Sequence, residues 1–266
     1  MDQERIERIA RRLFEANRKG ETFRPLRGED APGSMEAAYL VQDALHRLRE
    51  TEAGMGPLGG HKIALTSRAV QELCGVDRPA YGPVFAKSIR RSPAVLEFGD
   101  YQHLGLEFEV AVEIAEDVPA TQAPYDRETI AAYAAACMPA FELIDDRGAD
   151  YSELDAESIL ADRCWCAGVV LGPRVTAWQA LDLATAPVEA VWNGELRDRG
   201  VTGDSMGHPF EGLAWVANHL SEHGKRLRAG EIVITGSALK TAFPEPGDAV
   251  TYRIEGLGET SIRIEA

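Results

Sequence analysis

One nine-residue run constrains this 266-residue chain more than any other: Leu106-Glu107-Phe108-Glu109-Val110-Ala111-Val112-Glu113-Ile114. Side chains alternate across a strand, so Phe108, Val110, Val112 and Ile114 share one face. The other face carries Glu107, Glu109, Ala111 and Glu113. Successive side chains on that face stand roughly 6–7 Å apart, from a rise of ~3.3 Å per residue. Glutamate is disfavoured in strands, and like charges along one face repel. Two readings follow: a solvated acidic face, or carboxylates converging on a cation at roughly 2–2.5 Å from each oxygen.

A second run favours the cation. Pro139-Ala140-Phe141-Glu142-Leu143-Ile144-Asp145-Asp146-Arg147 places one glutamate inside an apolar strand. A lone core carboxylate costs several kcal/mol unless it is paired or bound to metal. Glu107, Glu109 and Glu142 together form an all-oxygen donor set, which selects Mg²⁺ or Mn²⁺ over zinc. A salt bridge from Glu142 to Arg147 or Arg163 is the alternative. Two further segments carry polar groups at strand ends. In Gly60-His61-Lys62-Ile63-Ala64-Leu65-Thr66-Ser67, Lys62 precedes an apolar strand and a Thr-Ser turn. Burial and a neighbouring cation would depress its pKa and suit it to proton transfer near neutrality. In Glu231-Ile232-Val233-Ile234-Thr235-Gly236-Ser237, the turn's amides and hydroxyls are placed to hold a carboxylate, although an ordinary strand end reads the same way.

The rest of the chain sets the frame. Ile6, Ile9, Ala10, Leu13 and Phe14 form one face of a helix over 3–17, and Ser34 caps a second helix through Leu48. Gly54–Gly60 reads as a loop. Short strands are expected at His61–Leu65, Ala140–Asp145, Glu231–Thr235, Ala249–Ile254 and Ser261–Ile264. Asn193-Gly194 predicts a tight hairpin. Helices are expected at Ser67–Leu73, Phe210–His223 and Arg127–Met138, the last stopped by Pro139. The division is an N-terminal helical subdomain, residues 1–59, and a largely antiparallel or mixed β domain, residues 60–266, in the α+β class. Neither GxGxxG after a strand nor GxxxxGK[ST] occurs. With 28 basic and 43 acidic residues the net charge is −15, which disfavours nucleic acid and anionic membrane surfaces as partners. No apolar run approaches the ~20 residues of a membrane span, and the charged N-terminus is no signal peptide. Four cysteines without a CxxC pair fit reduced thiols in a cytoplasm.

The segments GHKIALTS (60–67), EFEVAVEI (107–114), PAFELIDDR (139–147), AGVVLG (167–172), HPFEGLAWVANHL (208–220), AGEIVITGS (229–237) and PGDAVTYRIEGLG (246–258), in this order, resemble the 2-keto-4-pentenoate hydratase family. That family includes 4-oxalocrotonate decarboxylases and belongs to the fumarylacetoacetate hydrolase superfamily. The resemblance spans essentially the whole chain. It implies a mixed β-roll or barrel-like core with an N-terminal helical cap, assembled as a homo-oligomer. It implies Mg²⁺ or Mn²⁺ held by Glu107, Glu109 and Glu142, with Glu113 a bystander. Lys62 matches the family's lysine, the residue for proton transfer, and Ser67, Thr235, Gly236 and Ser237 would line the pocket around a substrate carboxylate. The implied substrate is a small 2-hydroxy-dienoic or 2-oxo acid, and the implied reaction is hydration of 2-hydroxypenta-2,4-dienoate to 4-hydroxy-2-oxopentanoate.

Two departures keep other reactions open. Family hydratases carry Asp in a Pro-Asp-[Phe/Tyr]-Gly stretch, where this chain has Pro79-Ala80-Tyr81-Gly82. Ala80 puts water activation in question and leans toward decarboxylation. Ala161-Asp162-Arg163-Cys164-Trp165-Cys166 replaces a small polar run, and Arg163 is a candidate for a second substrate carboxylate. His103, four residues before Glu107, is either an acid/base or a structural residue. The remaining alternatives are an acylpyruvate-type C–C hydrolase and a non-catalytic partner subunit, since hydratases and decarboxylases of this family can associate.

Overall fold

The structure, a computed structural model, describes residues 1–266. Helix α1 (Gln3–Arg18) starts at Asp2, whose side chain accepts from the Arg5 amide, and buries Ile6, Ile9, Ala10, Leu13 and Phe14. Helix α2 (Met35–Thr51) starts at Ser34, whose side chain accepts from the Ala37 amide. Then come β1 (Leu58–Ala64), α3 (Arg68–Cys74), β2 (Ala80–Phe85), β3 (Ile89–Arg91), β4 (Ala94–Glu97) and β5 (Leu104–Ile114). The single turn α4 (Arg127–Ile130) precedes β6 (Ala134–Asp145), and α5 (Ala156–Ala161) precedes β7 (Cys166–Leu171). The hairpin β8 (Pro187–Trp192) and β9 (Glu195–Val201) turns at Asn193 and Gly194, both with positive φ as a primed turn requires. Helix α6 (Pro209–Glu222) and strands β10 (Ile232–Ser237), β11 (Ala249–Ile254) and β12 (Gly258–Glu265) complete the chain.

Seven strands form one mixed sheet in the order β2-β1-β10-β5-β6-β7-β3, and five form a second in the order β4-β12-β11-β8-β9. The central pair β5–β6 is buried on both faces. On one, Phe108 and Phe141 meet the Tyr252 ring of β11 at centroid distances of 5.4 and 6.1 Å, so this face is the core between the sheets. On the other, Ala111, Met138 and Ala140 cluster with Val84 of β2 and Val169 of β7. Strands β2 and β7 are far apart in sheet order, so their shared cluster shows that the large sheet rolls up on itself. Its edge strands, β2 and β3, exchange no ladder, and the roll is not a closed barrel.

The helix expected over Arg127–Met138 is corrected. Only Arg127–Ile130 is α-helical, and the Ala-rich stretch from Ala134 is strand. Pairing with the long neighbour β5, from Leu104↔Asp145 to Ile114↔Ala134, overrides the local helix propensity of alanine. Pro139 does not end an element but sits inside β6. Its carbonyl accepts from the Gly172 amide at 2.8 Å, just past the last residue of β7, so its missing N–H falls where the ladder ends.

Candidate active site

The site lies inside the roll, where four neighbouring strands meet and β5 contributes two positions. Lys62 of β1 pairs with Ile234 of β10, Ser237 of β10 pairs with Glu109 of β5, and Glu107 of β5 pairs with Glu142 of β6. In a flat sheet β1 and β6 would stand three strand spacings apart, roughly 14 Å. Rolled, the sheet brings Lys62 Nζ to 3.1 Å from Glu142 Oε1. Ligand atoms of Glu107, Glu109 and Glu142 all lie within 4.8 Å of one another. Glu109 and Glu142 have no solvent exposure, and Lys62 is 3% exposed.

The solvated-face reading therefore fails for this end of β5. Glu142 pairs with Lys62 and with neither arginine considered above. Arg147 pairs with Asp162 instead, and Arg163 donates to the Cys166 carbonyl at 2.9 Å. The Lys62–Glu142 contact is an ion pair without hydrogen-bond angles: both Glu142 oxygens and Glu109 Oε1 are buried without a hydrogen-bond partner. Glu109 Oε2 accepts from the Gly236 amide at 2.6 Å, and Glu107 Oε1 accepts from Thr241 Oγ1 at 3.0 Å. Only glycine fits at 236: its φ is +100°, and a Cβ there would strike Ser205 Oγ.

Burial, reinforced by the charge of Glu107, pushes Glu109 up to about 8. Burial likewise holds Glu142 well above the usual carboxylate range, against the pull of Lys62. Lys62 departs from the depressed value expected of it. Burial lowers its pKa, but the carboxylates of Glu142 and Glu107 outweigh burial and hold it above the ordinary lysine value. Buried carboxylates with orphan oxygens and one ammonium among them are costly as they stand. A divalent cation relieves that cost, and the all-oxygen donor set suits Mg²⁺ or Mn²⁺.

A cleft of about 620 Å³ opens above these residues. Lys62 and Glu107 line its floor, Ile63, Leu65, Ile144, Leu154 and Ile159 its walls, and Arg199 and Lys240 its polar rim. Ser67, Gly236 and Ser237 line it as well. Ser67 Oγ also caps α3 by accepting from the Val70 amide at 3.3 Å, and Ser237 Oγ is held between the Phe108 amide and the Leu239 carbonyl, 2.8 Å from each. Thr235 is not among the lining residues: it is 1% exposed, and its hydroxyl donates to the Val110 carbonyl at 3.0 Å. Arg163 is turned away from the cleft into a second cavity. Ala80 is buried opposite Ala64, one strand from the cleft. His103 Nδ1 sits 2.7 Å from Asp146 Oδ1, and its ring stacks on Phe243 outside the cleft lining. The sequence reading missed Thr241, the one side chain that orients Glu107, and Tyr151, a cleft wall whose hydroxyl donates to Asp146 at 2.8 Å. No local pattern marks Thr241, because what defines it is the return of its loop over β5.

Comparison with known proteins agrees with this fold. The fumarylacetoacetate (FAA) hydrolase C-terminal family model matches residues 78–265. The 2-hydroxyhexa-2,4-dienoate hydratase of Comamonas testosteroni is 32% identical over 268 residues, covering 98% of each chain. The 2-keto-4-pentenoate hydratase of Paraburkholderia phymatum is 32% identical over 258 residues, covering 97% of this chain and 96% of its own. Among solved structures, the 4-oxalocrotonate decarboxylase from Pseudomonas putida G7, complexed with magnesium and adipate, superposes with a TM-score of 0.90 at 26% identity, over 99% of this chain and 98% of that one. The resemblance drawn from the seven sequence segments is borne out, and the chain belongs to the fumarylacetoacetate hydrolase family.

Proposed function

We propose that this chain is a divalent-metal-dependent lyase that hydrates a small 2-hydroxy-2,4-dienoate to a 4-hydroxy-2-oxo acid. The observation that carries this reading is the position of Lys62, in contact with Glu142 of the trio Glu107, Glu109 and Glu142, with Lys62 and Glu107 on the floor of an apolar-walled cleft. The three carboxylates hold the ion, which supplies Lewis-acid polarisation of the substrate's 2-oxygen. Lys62 Nζ moves the proton between that oxygen and the chain's terminal carbon, turning the 2-hydroxy-2,4-dienoate into the conjugated 2-oxo-3-enoate. Water then adds across the remaining double bond, its hydroxyl at C4 and its proton at C3. The apolar walls take the hydrocarbon end and keep bulk water from the proton transfer. Gly236 acts indirectly, through its amide on Glu109. Of the hydroxyls of Ser67, Thr235 and Ser237, that of Ser67 keeps its proton for the substrate carboxylate, since Thr235 and Ser237 donate theirs to backbone carbonyls.

A second reading is decarboxylation of a 2-oxo-dienedioate at the same centre. Ala80 favours it, because no carboxylate stands at that position to activate water, and so does the likeness in shape to the decarboxylase. Assembly as a homo-oligomer, and residence in a reducing cytoplasm, belong to the same proposal. The second is supported by four buried cysteines, none in a disulfide; no helix is long and apolar enough to cross a membrane.

The test is product analysis by proton NMR with the Mg²⁺-loaded protein. From 2-hydroxypenta-2,4-dienoate the reading expects 4-hydroxy-2-oxopentanoate. Release of carbon dioxide from 2-oxohex-3-enedioate, with no hydration of the monoacid, would replace it by the second reading. Turnover of neither would leave a binding subunit.

A further inference from the structure

The second cavity, about 570 Å³, lies between the N-terminal helices and the roll and is lined by five arginines: Arg18, Arg49, Arg90, Arg147 and Arg163. Three carboxylates share it, Asp100, Asp145 and Asp162. Two of these are committed. Asp162 pairs with Arg147 and also accepts from Asn17 Nδ2 at 3.0 Å. Asp145 accepts from the backbone amides of Gln102 and His103 at 3.1 and 3.0 Å. Arg18 pairs with Glu15 at 2.7 Å. Arg49, Arg90 and Arg163 make no ion pair, in a chain whose net charge is −15.

Three buried donors at this cavity find no acceptor: Arg49 Nε, Arg163 Nε and Trp165 Nε1. Arg163 is 5% exposed and Trp165 is 8% exposed, so solvent at the outer surface does not satisfy them. All three are donor-only groups, and what is missing is an acceptor; beside two guanidinium groups an anionic one makes the stronger hydrogen bonds. Burial, with the charge of Arg163 adding to it, pushes Arg49 down to about 9, and burial lowers Arg163 as well. The backbone holds the arrangement in place. Arg163, Cys164 and Trp165 run in succession with φ of 60°, 51° and 60°, a left-handed turn that non-glycine residues adopt only under strain. That turn sends the Arg163 side chain into this cavity and Cys164 into the catalytic cleft, while Trp165 is part of the wall of both.

We propose that this arginine cavity is a second ligand site, distinct from the catalytic cleft, that binds a small dianion (a dicarboxylate or a phosphate-like oxyanion) on Arg49 and Arg163. The inference does not rest on the reaction assigned above, because its test reads binding.

The probe is inorganic sulfate, titrated calorimetrically into the Mg²⁺-loaded protein at low ionic strength, alone and with the cleft saturated by 2-oxopentanoate, an unreactive 2-oxo acid. Succinate is the second probe, and its affinity relative to sulfate tells whether carboxylate or tetrahedral oxyanion is preferred. The expected result is one sulfate per chain, retained when 2-oxopentanoate fills the cleft, with affinity reduced about tenfold or more in Arg49→Gln. Should Arg49→Gln fail to fold, Arg90→Gln, on a half-buried rim residue, is expected to weaken sulfate in the same direction. Displacement of sulfate by 2-oxopentanoate would overturn the proposal, since the anion would then belong to the catalytic cleft. Unchanged sulfate affinity in both variants, or no saturable binding at all, would overturn it too.

Discussion

Glu109 and Glu113 leave the same face of the same strand and meet opposite surroundings. At Glu113, Arg174 donates Nε and Nη2 to the two carboxylate oxygens at 2.5 and 3.1 Å, and the side chain is 22% exposed. Glu109 has no exposure and no cationic hydrogen-bond partner, only the Gly236 amide on one oxygen. The first is an ordinary surface ion pair, worth about 0–1 kcal/mol. The second is a desolvated charge whose neighbours, Glu107 and Glu142, raise its cost. A carboxylate with its own arginine has a structural account of its presence. One that lacks it, sits beside two more and faces a buried lysine is accounted for only by what the centre binds.

The largest expected effect breaks the comparison at its costly end. Glu109→Gln should lose Mg²⁺ binding and lower turnover roughly 10³-fold or more, since the Lewis acid supplies several kcal/mol. In chelator-treated protein at pH 9, above the Glu109 pKa of about 8, the same change should raise Tm by about 2 °C or more, because a desolvated like charge is gone. A variant with wild-type turnover would remove Glu109 from the metal centre. Next comes Lys62→Ala, expected to keep the metal and lose proton transfer by ~10²–10⁴-fold, measured as exchange of substrate protons with solvent. Unaltered exchange would reduce Lys62 to a partner for Glu142.

Away from the cleft, His219, whose Nδ1 lies 3.6 Å from the exposed Glu222 carboxylate, tests whether burial that outweighs such a partner reads out as pH sensitivity. Burial, then the charge of His223, lowers His219 from its ordinary 6.5 to about 4. The unfolded chain therefore takes up this proton first, and the stability is present above about pH 6.5 and is lost as pH falls toward 4. His219→Phe, which preserves the stack on Trp215, should show a shallower decline of urea stability over that window than wild type. Parallel declines would remove His219 from the account. The smallest effect is at the solvated end: Glu113→Ala should change stability by about 1 kcal/mol or less and leave turnover unchanged within error.

The same contrast marks how far the sequence reaches. Alternation in 106–114 and the lone Glu142 identify the three carboxylates, because strand periodicity is local and a core charge is conspicuous. The Asn193-Gly194 hairpin and the buried face of α1 are legible for the same reason. What alternation does not contain is the identity of the neighbouring strand. The order β1-β10-β5-β6 joins segments far apart in the chain, and it alone decides that Lys62 meets Glu142 and Glu107, which reverses the direction of its pKa shift. The Ala-rich stretch before Pro139 reads as helix until β5 is there to pair with it. The left-handed turn at 163–165 carries no glycine to announce it, so Arg163 reads as a cleft residue and lies in the other cavity.

The measurement that tests the central claim most directly is the number of Mn²⁺ ions bound per chain, from electron paramagnetic resonance of the free ion, in wild type, Glu109→Gln and Glu113→Ala. The account predicts one tight Mn²⁺ in wild type and in Glu113→Ala and none in Glu109→Gln, with hydration of 2-hydroxypenta-2,4-dienoate rising in step with Mn²⁺ occupancy. One tight Mn²⁺ retained in Glu109→Gln, or hydration at full rate by metal-free protein, would contradict it.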